Sequence, residues 1–215
     1  MSDATVTARP RTVREETDAE ILTWAIPFFS RSADRPELFP FEPRIVDVTW
    51  GRGRFWRGSP WRRNVVGLDL DPHDGARIAA DFGALPLRAA SVDVLVFDPP
   101  HISEAGPASS VCVKMGFREH GISDVCELFP PFFAEARRVL VDGGIVLAKI
   151  ADQVHRGRMR WHHGELILSA ERAGLVACNG LVKVRRACIM DPRWKAQLHA
   201  RQNHCFWIVC RKGGC

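Results

Sequence analysis

Four consecutive residues, Asp98-Pro99-Pro100-His101, end a short apolar run and bring together groups that can do chemistry. Asp98 offers a carboxylate, and Pro99 keeps a carbonyl whose direction is restricted by the fixed φ of proline. These two groups can accept both protons of an amino group on a planar base, which leaves the nitrogen lone pair directed at a methyl donor. His101 supplies a flat ring that can stack on the base. The residues therefore suit an exocyclic amine, although a strand-ending turn without chemistry would have the same composition.

The run before this turn, Val92–Phe97, is rich in β-branched side chains and predicts a buried strand of a parallel sheet. Because two prolines cannot continue a hydrogen-bonded ladder, the chain has to leave the sheet at Asp98. Ligands of open α/β sheets bind outside the carboxyl ends of the strands. The Asp98 turn is therefore predicted to lie at a binding site.

A glycine-containing loop follows an earlier predicted strand at residues 45–48. Gly51 and Gly53 allow positive φ and close approach of the backbone to a ligand. Asp69 ends the next predicted strand, roughly 20 residues after the glycines, which is the spacing at which an acid binds ribose hydroxyls in dinucleotide-binding folds. These residues predict a site for a ligand that carries a ribose.

Together, these segments resemble the S-adenosylmethionine-dependent amino-methyltransferases that act on adenine N6 or cytosine N4 of DNA. The Asp98 turn resembles their motif IV, with His101 where an aromatic residue is usual; residues 47–53 resemble motif I, and residues 79–86 resemble motif III. The resemblance covers roughly residues 45–212. It implies an α/β, Rossmann-like class I methyltransferase fold: a mostly parallel seven-stranded sheet, an antiparallel final strand and helices on both faces.

The resemblance also implies a cofactor, S-adenosyl-L-methionine, and roles for individual residues. The implied catalytic residues are Asp98, Pro99, Pro100 and His101. The implied cofactor-binding residues are Asp47, Thr49, Gly51, Gly53, Asp69, Leu70, Asp81 and Phe82. As substrate-binding residues we expect Phe55, Trp56, Arg54, Lys114, Arg118 and Lys149.

The implied reaction is methylation of an exocyclic amine of a DNA base, with adenine N6 favoured over cytosine N4. Two alternatives stay open. Guanine or adenine amino-methyltransferases of tRNA use a similar Asp-Pro-Pro turn. The histidine at position 101 also leaves room for a catalytically inactive methyltransferase-fold subunit that binds nucleic acid.

Composition predicts a single cytoplasmic protein domain with a polyanionic partner. The formal charge of +5 over 215 residues favours nucleic acid, with duplex DNA expected first. No apolar run approaches the roughly 20 residues that span a bilayer, and residues 1–18 lack the apolar core of a signal peptide. Membrane association is therefore not expected, whereas a homodimer or a specificity partner is left open.

Seven cysteines without a Cys-x-x-Cys pair predict reduced thiols. Cys188, His199, His204 and Cys205 do not have zinc-site spacing, so no metal is predicted.

The chain divides into residues 1–43, a flexible arm (1–18) followed by a cover helix, and residues 44–215, the catalytic domain. Within it, residues 102–123 are too long for a typical connection and predict a mobile loop, and residues 151–203 are expected on the substrate side.

Overall fold

A computed structural model describes residues 11–30, 43–72, 78–101, 124–185, 200 and 202–214. Within these ranges the helices are α1 (Asp18–Phe29), α2 (Phe129–Val139) and α3 (His162–Arg172). The strands are β1 (Val13–Arg14), β2 (Ile45–Asp47), β3 (Val65–Asp69), β4 (Ile78–Ala79), β5 (Val92–Phe97), β6 (Leu140–Ile150), β7 (Gln153–His155), β8 (Arg158–Arg160), β9 (Leu175–Val184) and β10 (His204–Lys212). The segment 31–42, the predicted mobile loop with Lys114 and Arg118, and most of the excursion before β10 lie outside the described residues.

Eight of the strands form one sheet in the order β1-β9-β10-β6-β5-β2-β3-β4, and β7 pairs with β8 in a separate hairpin. The central strand β5 runs parallel to both of its neighbours, β2 and β6. Strand β10 runs antiparallel between β6 and β9. The seven strands from β9 to β4 confirm the predicted mostly parallel sheet with an antiparallel final strand.

The eighth strand, β1, shows that Val13 and Arg14, which were predicted as part of a flexible arm (1–18), belong to the sheet; residues 1–10 lie outside the described residues. Val13 and Arg14 pair in parallel with Val182 and Lys183 at the edge of the sheet. A two-residue strand is too short to show hydrophobic alternation, so its sequence carries no signal of it. The edge position of β1 brings the start of α1 onto the same sheet.

A capping box begins α1, with Thr17 as the N-cap residue. The Thr17 hydroxyl accepts the Glu20 N–H, while the Glu20 carboxylate accepts the Thr17 N–H at 2.8 Å. This reciprocal pair satisfies two N–H groups at the helix start. Because Thr17 caps the helix, the carboxylate of Asp18 is available for other contacts.

Two apolar clusters cover the two faces of the sheet. On one face α2 and α3 pack on the sheet, where Phe132 stacks on Phe97 of β5 with ring centroids 3.7 Å apart. On the other face α1 packs against β2, β5, β6 and β10 through Ile21, Leu22 and Ile26. Helices on both faces were predicted, and the burial of β5 from Val94 to Phe97 agrees with its central position.

Pro130 and Pro131 lie in the first turn of α2. Proline is tolerated in the first helical turn because its missing N–H has no intrahelical partner there. Strand β6 begins at Leu140, directly after α2, and its pairing with β5 shifts register between Val92 and Val94. No helix in the described ranges is both long and apolar enough to cross a bilayer.

Candidate active site

A pocket of about 500 Å³ lies at the carboxyl ends of β2, β5 and β6. Its wall includes Gly51 of the loop after β2, Asp98 after β5 and Lys149 of β6. The start of α1 adds Thr17 and Asp18. The volume is within the range of small-molecule sites, which is about 300–1,000 Å³. The structure thus places the Asp98 turn and the first glycine of the loop beside one cavity.

A chain of hydrogen bonds connects the loop after β2 to the Asp98 turn. The Asp98 N–H donates to Oγ1 of Thr49 at 2.7 Å. Thr49 in turn donates its N–H to Oδ1 of Asp47 at 2.9 Å. Because the parallel strands β2 and β5 end side by side, these bonds hold the turn and the loop at a set distance from each other. Thr49 therefore positions Asp98 in addition to lining the pocket.

Asp47 is buried beneath this loop and does not line the pocket. Its Oδ2 accepts a 2.7 Å hydrogen bond from Nε1 of Trp56, and its Oδ1 accepts from Thr49. Burial raises the pKa of Asp47 to about 7, against the opposing effect of these hydrogen bonds. Asp47 thus stabilises the conformation of the loop through hydrogen bonds on its buried side.

Trp56 does not occupy the position that we predicted for a base-stacking residue. Its side chain is 0 % exposed and belongs to the core beneath α1. The indole is held by Asp47, so its ring faces no part of the pocket. Trp56 therefore packs in the apolar core, although its neighbours in the sequence are basic residues that suit a binding surface.

Glycine is needed at the two positions of the loop for different structural reasons. Gly51 (φ +52°) lines the pocket, and its N–H donates to Oδ2 of Asp69 at 2.6 Å. Gly53 (φ +60°) is buried, and a Cβ there would lie 2.7 Å from the ring of Trp50. Only Gly51 therefore has its backbone at the cavity, whereas Gly53 allows Trp50 to pack.

Four further residues were predicted to bind the cofactor, and none of these described residues is part of the pocket wall. The Asp69 carboxylate accepts hydrogen bonds from the N–H groups of Gly51 and Asp71. Leu70 is 56 % exposed beyond the end of β3. Asp81 is also exposed and accepts the Gly83 N–H at 2.7 Å. Phe82 packs edge-on against Phe97 at 5.3 Å, which makes it a core residue here. Leu70 and Asp81 remain accessible at the rim of the sheet.

His101 turns towards Asp98 instead of presenting an open ring. Its Nε2 lies 2.8 Å from Oδ1 of Asp98, and both side chains are mostly buried. Pro99 is buried and Pro100 is half-buried between them. In this conformation the imidazole occupies one oxygen of the carboxylate that was predicted to hold an amine.

A charged network that the sequence did not reveal lies next to Asp98. Lys149 Nζ is 3.2 Å from Oδ2 of Asp18 and 4.0 Å from Oδ1 of Asp98. Lys183 Nζ of β9 is 2.7 Å from the same oxygen of Asp18, and the Trp207 indole donates to the other at 3.2 Å. Asp18 and Lys183 lie far apart in the sequence, and their contact has no local signal because the start of α1 and β9 meet only in the folded chain.

Neighbouring charges favour the ionised forms of Lys149 and Asp18. Burial alone would lower the pKa of Lys149, but the carboxylates of Asp98 and Asp18 outweigh it and hold that pKa above its ordinary value. Burial likewise opposes ionisation of Asp18, yet Lys149 and Lys183 hold its pKa below the ordinary value. The pocket wall is therefore charged but close to balanced around Asp98.

Aromatic and basic side chains continue the wall away from Asp98. The ring of half-buried Phe55 lies 4.5 Å from Lys149 Nζ and 5.5 Å from the ring of Trp207. Arg52, Arg54 and Arg57 line the same pocket and are exposed. Of the predicted substrate-binding residues, Phe55, Arg54 and Lys149 thus share one cavity.

Comparisons with known proteins agree on the fold. No protein-family model and no curated protein sequence matches the chain. A candidate methyltransferase solved in complex with the Haloferax volcanii Trm112 methyltransferase activator is similar over 92 % of this chain and 94 % of that chain, with 16 % identity and a TM-score of 0.50. The chain has a Rossmann-like methyltransferase fold.

Two further structures are similar to the chain at lower TM-scores. A TehB-like S-adenosylmethionine-dependent methyltransferase of Corynebacterium glutamicum is 22 % identical over 81 % of this chain and 82 % of that chain, with a TM-score of 0.45. A candidate DNA modification methylase of Thermus thermophilus, complexed with S-adenosyl-L-methionine, is 20 % identical over 60 % of this chain, with a TM-score of 0.41. The match spans about half of the Thermus protein, 51 % of its length.

Proposed function

We propose that this protein is an S-adenosylmethionine-dependent methyltransferase that methylates an exocyclic amine of a DNA base, with adenine N6 favoured over cytosine N4. The observation that carries the proposal is the position of Asp98. Its side chain lines the same pocket as Gly51, and its N–H is bound by Thr49 of the glycine loop. An acceptor for an amine and a loop for a cofactor thus lie side by side.

The residues of the pocket fit the cofactor. Its wall contains the carboxylate of Asp18 and two ammonium groups, Lys149 and Lys183, which match the zwitterionic amino-acid end of S-adenosylmethionine. A Cβ at Gly51 would have only the Thr49 carbonyl near it, at 4.0 Å, so the backbone there is open on one side. Leu70 and Asp81, at the ends of the neighbouring strands, are accessible to an adenine ring. When bound, the cofactor supplies an electrophilic methyl group.

The chain's own contribution is to hold the amine. The Asp98 carboxylate and the Pro99 carbonyl accept its two protons and so aim the nitrogen lone pair at the methyl group. Positive charge develops on that nitrogen as the new bond forms, and the adjacent carboxylate stabilises it. Lys149 would oppose this stabilisation, and Asp18, which pairs with Lys149 at 3.2 Å and with Lys183 at 2.7 Å, offsets part of its charge. The proton leaves the nitrogen for solvent after transfer.

Exposed cations support a nucleic-acid substrate. Arg52, Arg54 and Arg57 surround the pocket mouth, where they can contact phosphates on both sides of an extruded base. Phe55 offers a ring at the mouth for stacking. A base in duplex DNA has to leave the helix to reach Asp98, at a cost of a few kcal/mol that contacts in the pocket offset.

Transfer of tritium from methyl-labelled cofactor to duplex DNA, tRNA or protein tests the proposal. We expect label in DNA as N6-methyladenine, and we expect Asp98→Ala to abolish transfer while cofactor affinity stays nearly unchanged. Asp142→Ala is the matched control, because Asp142 is an exposed acid near the amino end of β6, at the opposite end of the strands from Asp98. Full activity of Asp98→Ala would refute the role of Asp98, and label in tRNA alone would assign the substrate to RNA.

A second candidate function is a cofactor-binding subunit without activity. The hydrogen bond between His101 and Asp98 favours it, because the imidazole occupies an oxygen needed by the amine. Cofactor binding without transfer to DNA, tRNA or protein would support this function over the first.

A further inference from the structure

Three potential metal ligands converge at a place away from the pocket: Asp124, Cys126 and His162. Asp124 and Cys126 belong to the 3-10 turn at Val125–Leu128 that leads into α2, and His162 is the first residue of α3. One ligand atom from each lies within 4.8 Å of the other two. None of the three lines the pocket beside Asp98.

His162 is the residue that indicates a ligand. Its side chain is 0 % exposed, and its Nδ1 lies 3.1 Å from the Ala151 carbonyl oxygen, which can only accept. The proton is therefore on Nδ1, and Nε2 presents a lone pair. That Nε2 is buried and no described group donates to it. A buried acceptor without a donor costs roughly 1–3 kcal/mol, so its retention calls for a reason.

We propose that Asp124, Cys126 and His162 bind a divalent transition metal of the zinc class. Nitrogen, sulfur and carboxylate oxygen are the ligands that zinc takes in proteins. A backbone carbonyl that fixes the other nitrogen of the imidazole is the usual support of a metal-binding histidine. Three protein ligands leave a fourth position for water.

Modest side-chain movement completes the site. Ligand atoms of a tetrahedral zinc are roughly 3.5 Å apart, so the present separations have to contract by about an ångström. Asp124 Oδ2 now pairs with Arg160, whose side chain is 43 % exposed and can turn to solvent. Its Oδ1 accepts the Cys126 N–H at 3.0 Å and keeps a second lone pair. Coordination by the thiolate releases the Cys126 proton to solvent.

The site would join the start of α2 to the start of α3 at the carboxyl end of β6. Ala151 directly follows β6 and holds His162. Bound metal would then connect α3 with the turn that leads into α2, two elements that pack on the same face of the sheet. The prediction of no metal was based on other residues, Cys188, His199, His204 and Cys205. Asp124 and His162 lie far apart in the chain, and the three proposed ligands have no zinc-finger spacing that local sequence could reveal.

Titration of the metal-free full-length protein with Co²⁺, followed by competition with Zn²⁺, tests the site. We expect one equivalent to bind with a thiolate-to-cobalt charge-transfer band in the near ultraviolet. Cys126→Ser should lose that band, and His162→Gln should weaken binding at least about tenfold, as perturbed zinc shells do. Cys178→Ser is the matched control, because Cys178 is a half-buried thiol of β9 that forms no disulfide, and it should keep both band and affinity.

Asp124→Asn provides a second variant in case the buried substitutions prevent folding. Asparagine still caps the 3-10 turn through its side-chain oxygen, but it removes the carboxylate ligand. We expect wild type, and not this variant, to gain thermal stability on addition of stoichiometric Zn²⁺. Absence of stoichiometric binding by wild type, or a charge-transfer band that survives in Cys126→Ser, would overturn the proposal.

Discussion

The backbone N–H of Asp98 donates a 2.7 Å hydrogen bond to the side-chain hydroxyl of Thr49. This bond connects the first residue beyond β5 with the loop beyond β2. It fixes the direction in which the chain leaves the sheet just before Pro99. Because the two proline residues restrict the backbone after that point, a single contact at Asp98 orients the whole turn.

Thr49→Val should therefore impair methyl transfer more than it impairs folding. The substitution keeps the shape of the side chain but leaves the Asp98 N–H without its acceptor, at a cost of about 1–3 kcal/mol. We expect a fall in kcat of about tenfold or more, since about 1.4 kcal/mol corresponds to a factor of ten. Thr49→Ser retains the hydroxyl and should restore kcat. Equal impairment of the serine and valine variants in steady-state kinetics would contradict a positioning role.

His101→Phe should increase the affinity for duplex DNA or raise the rate of transfer. The phenyl ring cannot bond to Asp98, so both carboxylate oxygens become available to an amine, and it stacks better on a base. His101→Ala is the control, because it frees Asp98 in the same way without supplying a ring. Steady-state kinetics of the two variants separate the effects. A phenylalanine variant slower than wild type would show that the imidazole takes part in the reaction.

Burial of Asp47 should make part of the folding stability depend on pH. In the unfolded chain this carboxyl ionises near the ordinary aspartate pKa of 3.8, whereas burial raises the native pKa to about 7. This group's contribution to stability is therefore full below the unfolded pKa and is lost as pH rises towards 7. The change amounts to as much as about 4 kcal/mol.

Guanidinium denaturation of wild type and Asp47→Asn across this pH range measures the contribution. Asparagine does not titrate, so the difference between the two proteins isolates Asp47 from acids such as Asp93, whose pKa the Arg44 hydrogen bonds lower against the effect of burial. The stability advantage of wild type over the variant should shrink as pH rises. A constant difference would show that the native pKa of Asp47 is close to its unfolded value.

Gly53→Ala should destabilise the fold more than Gly58→Ala. Both glycines have positive φ, +60° and +80°, so each substitution carries a backbone cost of about 1–2 kcal/mol. At Gly53 the new methyl group also meets the Trp50 ring, whereas nothing lies within 4 Å at Gly58. Overpacking adds about 1–3 kcal/mol. Thermal denaturation measures both variants, and equal destabilisation would mean that Trp50 moves aside without cost.

Much of the fold could be predicted from the local sequence, because the signals that define each helix or strand lie within that element. The apolar run of β5 ends at a pair of prolines, and Gly174 follows the last turn of α3; both boundaries depend on neighbouring residues alone. Asp47 and Asp69, the acids that end β2 and β3, could likewise be recognised from the sequence. Parallel strands then bring their carboxyl ends to one edge, so the proximity of Gly51 and Asp98 was predictable from topology.

Only the tertiary structure decided what each of these side chains contacts. Asp18 and Lys183 meet because β1 and α1 come to lie beside β9, which follows much later in the chain. Trp56 lies in the core and the His101 imidazole pairs with Asp98, although the sequence around each residue was also compatible with an exposed binding surface. Residue types and spacing thus determined the sheet and its functional edge. Burial and charge pairing between distant segments, which no local pattern encodes, decided which groups face the pocket.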